Sequence, residues 1–397
     1  MNIILFDTEV RNRLLPFTHT RPVADIRCGI LTMRERWEQL LQATTSSTLT
    51  LPYLQEVFLQ NTTNDNLYIN GAVFGNPTIA GAVSALNTGD VLAKGELIIA
   101  FRTASALNSI EELPTTGTIQ YDGDAYALQN VWDIFANNGK AIRGDYKLLT
   151  YNKTSAPIPA GVTVTGAENL FIEVGAIINA GCIINASTGP VYIAKDAEIL
   201  EGCMLRGPIA LCEHAVIKMG AKVYADTTIG PGCKVGGEMS NVVYFANSNK
   251  GHDGYLGNAI IGEWCNLGAD TNCSNLKNNY DEVKIWDEHI NKSVKTGLTF
   301  CGLIMGDHSK CGINTMFNTG TVVGVSANIF GAGFPEKFIP SFCWGGAEGM
   351  TTYSFDRAME TAGRMMARRN KELSPAERNM YQYIFNKTTS QRDLFAK

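Results

Sequence analysis

A six-residue repeat constrains this chain more than any other feature. Apolar side chains recur at Ile193, Ile199, Leu205, Leu211, Ile217, Val223, Ile229 and Val235, each six after the last. Four residues beyond each rung stand Ala197, Cys203, Ile209, Ala215, Ala221, Thr227 and Cys233, all small except Ile209. A second series runs Met305, Cys311, Phe317, Val323 and Ile329, with Ser309, Thr315, Thr321 and Ala327 in the small position, and a third begins at Ile172, Ile178 and Ile184. A period of six suits neither a helix nor a long flat strand. It is the period of hexapeptide coils, in which three short faces close around a narrow axis and each coil stacks on the last. The rung residue is expected to point inward and the small residue to let the chain turn the corner. The predicted architecture from 155 to 345 is therefore a parallel β-helix.

The breaks in the repeat are as informative as the repeat. One phase shift falls at "STGPVY". From Val235 to the next good rung, Ile261, there are 26 residues, and from Leu267 to Met305 there are 38, neither a multiple of six. Extra residues in a solenoid are expected to leave it as loops, and loops on a rigid scaffold are where sites are built. The first gap holds "NSNKGHDGYLG" with His252; the second holds "SNLKNNYDEVK" with Asn275 and Lys284. The two gaps flank the hexads IGEWCN and LGADTN, which predicts that His252, Tyr255, Asn266, Asn275 and Lys284 gather around one coil. A lone loop histidine is usually a surface residue. Here Gly251 and Gly254 leave the backbone open to close approach and polar residues crowd beside it, which favours a functional His252. His19, His214, His289 and His308 read as ordinary histidines. His214 and His308 share a hexad position, but no third histidine stands at a spacing that would complete a metal site.

The flanks differ in texture. Residues 1–150 mix strand-like runs ("NIILF", "ELIIAF") with an amphipathic stretch, "GILTMRERWEQLL", whose Ile30, Met33, Trp37 and Leu40 or Leu41 share a helical face. Turn signals stand at Asn70-Gly71 and Asn87-Thr88-Gly89. This predicts a short α/β domain. Residues 350–397 predict two helices closing the coil, one capped by Ser354 and one opened by "SPAE", with a cap, a proline at the first helical position and a glutamate three after the cap.

Composition limits the partners. The net charge is −5 and no block of lysine or arginine occurs, which argues against nucleic acid or an anionic membrane as the main partner. No apolar run approaches the ~18 residues of a membrane span, and "MNIILFD" reads as a buried strand and not as a signal peptide. Ten cysteines lie scattered without a CxxC pair, as expected of reduced thiols in the cytoplasm.

The stretch "KGHDGYLGNAIIGEWCNLGADTNCSN" resembles the acetyltransferase domain of the bifunctional UDP-N-acetylglucosamine pyrophosphorylase/glucosamine-1-phosphate acetyltransferases. It is closer to the variant found in Bacteroidetes, with relatives among archaeal sugar-1-phosphate nucleotidylyltransferases. The resemblance implies an α/β nucleotidyltransferase domain, then a left-handed β-helix, and a homotrimer with sites between subunits. It implies that His252 is the general base, that Tyr255 and Asn266 contact the sugar phosphate, and that Asn275 contacts the amine and the acyl donor. It further implies a backbone contact from Ala269 to acetyl-CoA and a lysine, Lys284, reaching in from a neighbouring subunit. Where those enzymes carry a phosphate-binding lysine after "GEM", this chain has Ser240; Lys218 and Lys222 could supply the charge instead. The residue types suit the chemistry independently. Acetylating an amine needs a base that is neutral near pH 7, donors for the developing oxyanion, and cations for a phosphate.

The segment "VRNRLLPFTHTRPVADIR" resembles the signature loop of sugar nucleotidyltransferases through Arg13, Leu14, Pro16, Thr18, Arg21 and Pro22. Its phosphate-cradling glycines are replaced by "DTEVRN" and the lysine after Arg-Pro by Val23. Arg13 and Arg21 are the candidate nucleotide-binding residues and Asp145 a candidate Mg²⁺ ligand. Three functions follow. The leading one is acetyl-CoA-dependent N-acetylation of an amino-sugar 1-phosphate, glucosamine 1-phosphate first, in UDP-N-acetylglucosamine synthesis. The second is nucleotidyl transfer from UTP or dTTP to a sugar 1-phosphate, with the coil serving trimerisation. The third is an inactive trimeric scaffold.

Overall fold

The computed structural model describes residues 2–394. The chain divides into two compact units: one takes the chain up to Ile26, Leu31–Asp133 and Pro375–Met380, the other Arg27–Ile30, Ile134–Ser374 and the chain from Tyr381.

The first unit is built on a six-stranded sheet of β1 (Asn2–Phe6), β2 (Ser47–Leu49), β3 (Asn66–Asn70), β4 (Val91–Lys94), β5 (Leu97–Thr103) and β6 (Ile119–Gln120), in the order β2-β1-β3-β5-β4-β6. β1 is parallel to both its neighbours, and β5 runs antiparallel to β3 and β4. A central parallel strand is covered on both faces, hence the unbroken apolar run "NIILF". Ile3 and Leu5 face a core with Trp37, Leu67, Ile69 and Ile99; Ile4 and Phe6 face a second with Leu49, Tyr68 and Phe101. The predicted helix forms over Met33–Leu41, later than its periodicity suggested. Thr32 and Glu35 make a capping box that fixes the start. Met33 and Trp37 are buried, and the Trp37 indole N–H donates to the Val73 carbonyl at 3.0 Å. Ile30 precedes the helix and belongs to the other unit, where its N–H donates to the Asp145 carboxylate at 2.9 Å. The Asn138–Thr150 helix, placed before a boundary at 150 by sequence, also belongs there: Asn138 donates to the Asp226 carbonyl at 2.7 Å and to the Thr228 hydroxyl at 3.0 Å.

The second unit is a parallel β-solenoid followed by helices. Every rung named from the sequence is buried, as is every small-position residue. One face is a ten-stranded sheet whose inward residues stack as Ile178, Ile199, Ile217, Val235, Lys250, Leu267, Cys311 and Ile329. The corner lies one residue earlier than the small residue. Three after the rung, Asp196, His214, Trp264, Asp270, His308, Asn314 and Ser326 all have positive φ, between 53° and 60°, and glycines 202, 220, 232 and 320 fill the same position elsewhere. The shared hexad position of His214 and His308 is thus a left-handed corner.

The two long gaps resolve differently. In the first, nothing leaves the coil. Met239, Tyr244, Lys250, Leu256 and Ile261 continue the inward ladder through shortened corners, paired in register with the coils on either side. The strands Glu238–Tyr244 and Tyr255–Ile261 run straight through two of those corners, with Asn241 and Asn258 in the left-handed conformation that asparagine tolerates. The expected loop around His252 is instead a tight turn within the coil. In the second gap the chain does leave. It is pinched by a Cys301 N–H to Asn275 carbonyl bond of 2.9 Å and runs out into an antiparallel hairpin, Lys284–Asp287 with Lys292–Lys295. Val283 and Ile285 are buried, and the Trp286 ring stacks on Phe338 at 5.3 Å.

The ladder ends in a second antiparallel hairpin, Cys343–Gly346 with Gly349–Thr352. Helices follow at Phe355–Ala367 and Pro375–Lys387. Ser354 sits at the N-cap of the first, but its side chain makes no capping bond. The helix is held by its buried face, Phe355, Met359, Ala362 and Met366, with the Phe355 ring 6.1 Å from Phe342.

Candidate functional site

The coil residues predicted for acyl transfer fall into two groups either side of one turn. His252, Lys218, Asn266 and Ala269 line an open groove of about 940 Å³ on the solenoid. Lys222 and Tyr255 line a smaller pocket of about 260 Å³ together with Asp253 and Gly254. The turn from Gly251 to Gly254 is the wall between them, with His252 on one side and Tyr255 on the other.

The groove is basic. Beside His252 it carries Lys218, Lys234, Lys310, Arg364, Arg368 and Arg369, and no carboxylate lines it. Lys234 and Lys310 share one outward position of one face, with Asn249 and Asn266 on the coils between them, and Lys218 follows the strand next to Lys234. The arginines come from the polar side of the Phe355–Ala367 helix and the residues just after it. Arg369 donates to the Gly232 carbonyl at 2.6 Å, and Arg364 pairs with Glu360 at 2.5 Å. Lys310 donates to the His308 carbonyl at 2.7 Å, and burial lowers its pKa to about 8. Sequence reading missed these six apart from Lys218. The arginines were legible only as an Arg364, Arg368 pair at helical spacing on a helix taken for packing.

The second pocket has its own network. The Asn275 amide donates to the Tyr255 hydroxyl at 3.2 Å and to the Asn258 side-chain oxygen at 2.8 Å; burial raises the Tyr255 pKa. The structure therefore brings Tyr255 and Asn275 together, as the sequence predicted. Lys222 is paired with Glu238 at 3.8 Å. Lys284 stands exposed at the start of the excursion hairpin.

In the first unit the loop that replaces the glycines forms a 3-10 helix, Glu9–Leu14, capped by the Thr8 side chain, which accepts from the Val10 N–H. Buried Asp7 accepts from the Val23 N–H at 2.8 Å and the Thr50 hydroxyl at 2.6 Å, with Arg11 at 3.4 Å. Burial raises the Asp7 pKa despite that arginine. Arg21 is buried, and Arg13 is exposed and donates to Gln129 at 2.6 Å. Asp145 does not fit a Mg²⁺ ligand: it is 1% exposed and its carboxylate is held by the Ile30 N–H. Among the described residues no group of three or more His, Cys, Asp or Glu side chains could hold a metal ion. No helix among them is long and apolar enough to cross a membrane. All ten cysteines are free and buried, and burial pushes Cys203 up to about 11 and Cys233 up to about 12, so these two stay thiols.

The fold combines an α/β unit with a hexapeptide coil, and parts of the chain are similar to known proteins. Residues 3–154 match the family described as sugar nucleotidyl transferase. The chain is 28% identical over 144 residues to the bifunctional sugar-1-phosphate nucleotidylyltransferase/acetyltransferase of Sulfurisphaera tokodaii, covering 36% of this chain and 35% of that one. It is 29% identical over 227 residues to the bifunctional protein GlmU of Methanococcus maripaludis, covering 57% and 48%. To GlmU of Methanocaldococcus jannaschii it is 34% identical over 87 residues, covering 22% and 21%. The matches span about half or less of these relatives.

Proposed function

We propose that the chain transfers the acetyl group of acetyl-CoA to the amine of an amino-sugar 1-phosphate, glucosamine 1-phosphate first, toward UDP-N-acetylglucosamine. The observation that carries this reading is His252 on the wall of a groove lined by six cations and no carboxylate. Such a groove suits two phosphorylated reactants at once. His252 takes the ammonium proton, and the free amine attacks the thioester carbonyl. The C–N bond forms, the C–S bond breaks, and coenzyme A leaves as the thiol once its sulfur is protonated. Asn266 and Lys218 hold the phosphate side, and the backbone at Ala269 approaches the acyl donor. Tyr255, Asn275, Lys222 and Lys284 complete a site shared with a neighbouring copy in a homotrimer. The ten free thiols fit a cytoplasmic enzyme.

A thiol-release assay with acetyl-CoA and glucosamine 1-phosphate tests this. Release should require the amino sugar, and His252→Ala should lower kcat by about 10²-fold or more. Light scattering should give three times the chain mass. No release from folded protein with any amino-sugar 1-phosphate overturns the reading. The match of residues 3–154 supports a second activity, nucleotidyl transfer from UTP or dTTP. Pyrophosphate release with added Mg²⁺ and a sugar 1-phosphate checks it, and Arg13→Ala should reduce it.

A further inference from the structure

One rung of the solenoid breaks the rule that all the others obey. In a stack of isoleucine, valine, leucine and cysteine stands Lys250, fully buried, paired in register with Val235 below and followed by Leu267 above. A lysine here exposes no charge to solvent and makes no ion pair with Asp253, its nearest acid in sequence. Its ammonium donates instead to two backbone carbonyls, of His252 at 3.0 Å and of Asp253 at 2.8 Å. Burying such a group is costly unless its donors are satisfied. Burial accordingly lowers its pKa to about 8. An apolar residue would fill the rung without that cost, so packing does not account for the lysine.

The two carbonyls belong to the wall between the two pockets. That wall is fixed at its far end by Gly254, whose φ of +111° suits only glycine and which has no room for a Cβ beside the Thr271 carbonyl. The neighbouring amides are anchored as well: Glu238 N–H donates to the Gly254 carbonyl at 3.2 Å, and Tyr255 N–H to the Asn272 side chain at 2.7 Å. The lysine head reaches the middle of the turn from inside the coil.

We infer that Lys250 is a positioning residue, holding the Gly251–Gly254 turn from within the solenoid so that His252 and Tyr255 keep their places on opposite sides of it. The inference rests on the acetyltransferase reading for its catalytic half, and on geometry alone for the clamp. Lys250→Met keeps the rung filled and removes both donors. The full-length variant should melt within about 5 °C of wild type. Amides of Glu238 and Tyr255 should exchange with deuterium about tenfold faster or more. With acetyl-CoA and glucosamine 1-phosphate, kcat should fall about 30-fold while KM for acetyl-CoA changes less than about twofold, the signature of lost alignment and not lost binding. Lys250→Gln, which keeps an N–H donor, should recover part of the rate, and it replaces the methionine variant if that one does not fold. Unchanged exchange overturns the clamp whatever the activity. Faster exchange with unchanged kcat overturns the catalytic role. A wild type that acetylates no amino-sugar phosphate overturns the reading of the site, and the exchange measurement then decides the clamp by itself.

Discussion

The two interruptions of the hexad repeat look alike in sequence and are opposite in structure. Between Val235 and Ile261 the chain stays in the coil and changes what is inside it; between Leu267 and Met305 it leaves the coil and changes what is outside. The first inserts Tyr244 and Lys250 into the ladder, both fully buried. The second adds a hairpin that packs back through Trp286 and Ile285. A length that six does not divide signals a phase change, and shortened corners with left-handed asparagines accomplish that as well as a loop does. The proposed base sits on the interruption that stayed inside, where its backbone is held from two sides.

The sharpest way to break this comparison is Gly254→Ala. With φ at +111° and the Thr271 carbonyl in the place of a Cβ, the inside turn cannot adapt, and the variant should lose about 3–4 kcal/mol of stability by denaturant titration. The outside interruption should be more forgiving. Trp286→Ala removes a ring stacked on Phe338 and should cost about 1–2 kcal/mol, leaving exchange protection of the coil strands unchanged. A smaller effect of opposite sign is expected at Tyr244. Its hydroxyl is buried with no hydrogen-bond partner among the described residues, so Tyr244→Phe should stabilise by about 1 kcal/mol.

The smallest expected effect is a pH dependence. Burial lowers Lys250 and Lys310 to about 8, whereas an unfolded lysine titrates near 10.5. Above pH 8 the folded chain sheds these protons while the unfolded chain keeps them, so the unfolded state binds more and stability rises with pH. From about pH 8 upward the buried thiols act in the opposite sense, because Cys233 is held up to about 12 and an unfolded cysteine ionises first. The lysine contribution is therefore read as a difference between variants: from about pH 7 to 9 the melting temperature of Lys250→Met should fall further than that of wild type. Adding Lys310→Met should widen that difference.

The coil was legible because hexad burial is a strictly periodic signal, and Ile193 through Val235 fall where the period puts them. The Tyr255–Asn275 pair was legible too, since both interruptions flank the same hexads. What stayed hidden depends on three-dimensional stacking. Lys250 reads as one more polar loop residue until register places it under Leu267. Lys234 and Lys310 lie far apart in sequence and line one groove only because the coil stacks their outward position through Asn249 and Asn266. Asp145 looked like a free carboxylate, and only the fold shows the Ile30 amide that occupies it.

The hairpin that ends the ladder changes what one face of the coil offers to another chain. A parallel solenoid is open at its last coil, and every unpaired strand there is a template on which another chain could add. Here the strand after Ile329 turns back at Gly349 and runs the other way. On that face a copy approaching end-on meets Gly349–Thr352, a short strand of the wrong polarity that cannot continue a parallel stack. One face of the coil is thereby closed to parallel end-on addition by a single reversal of direction.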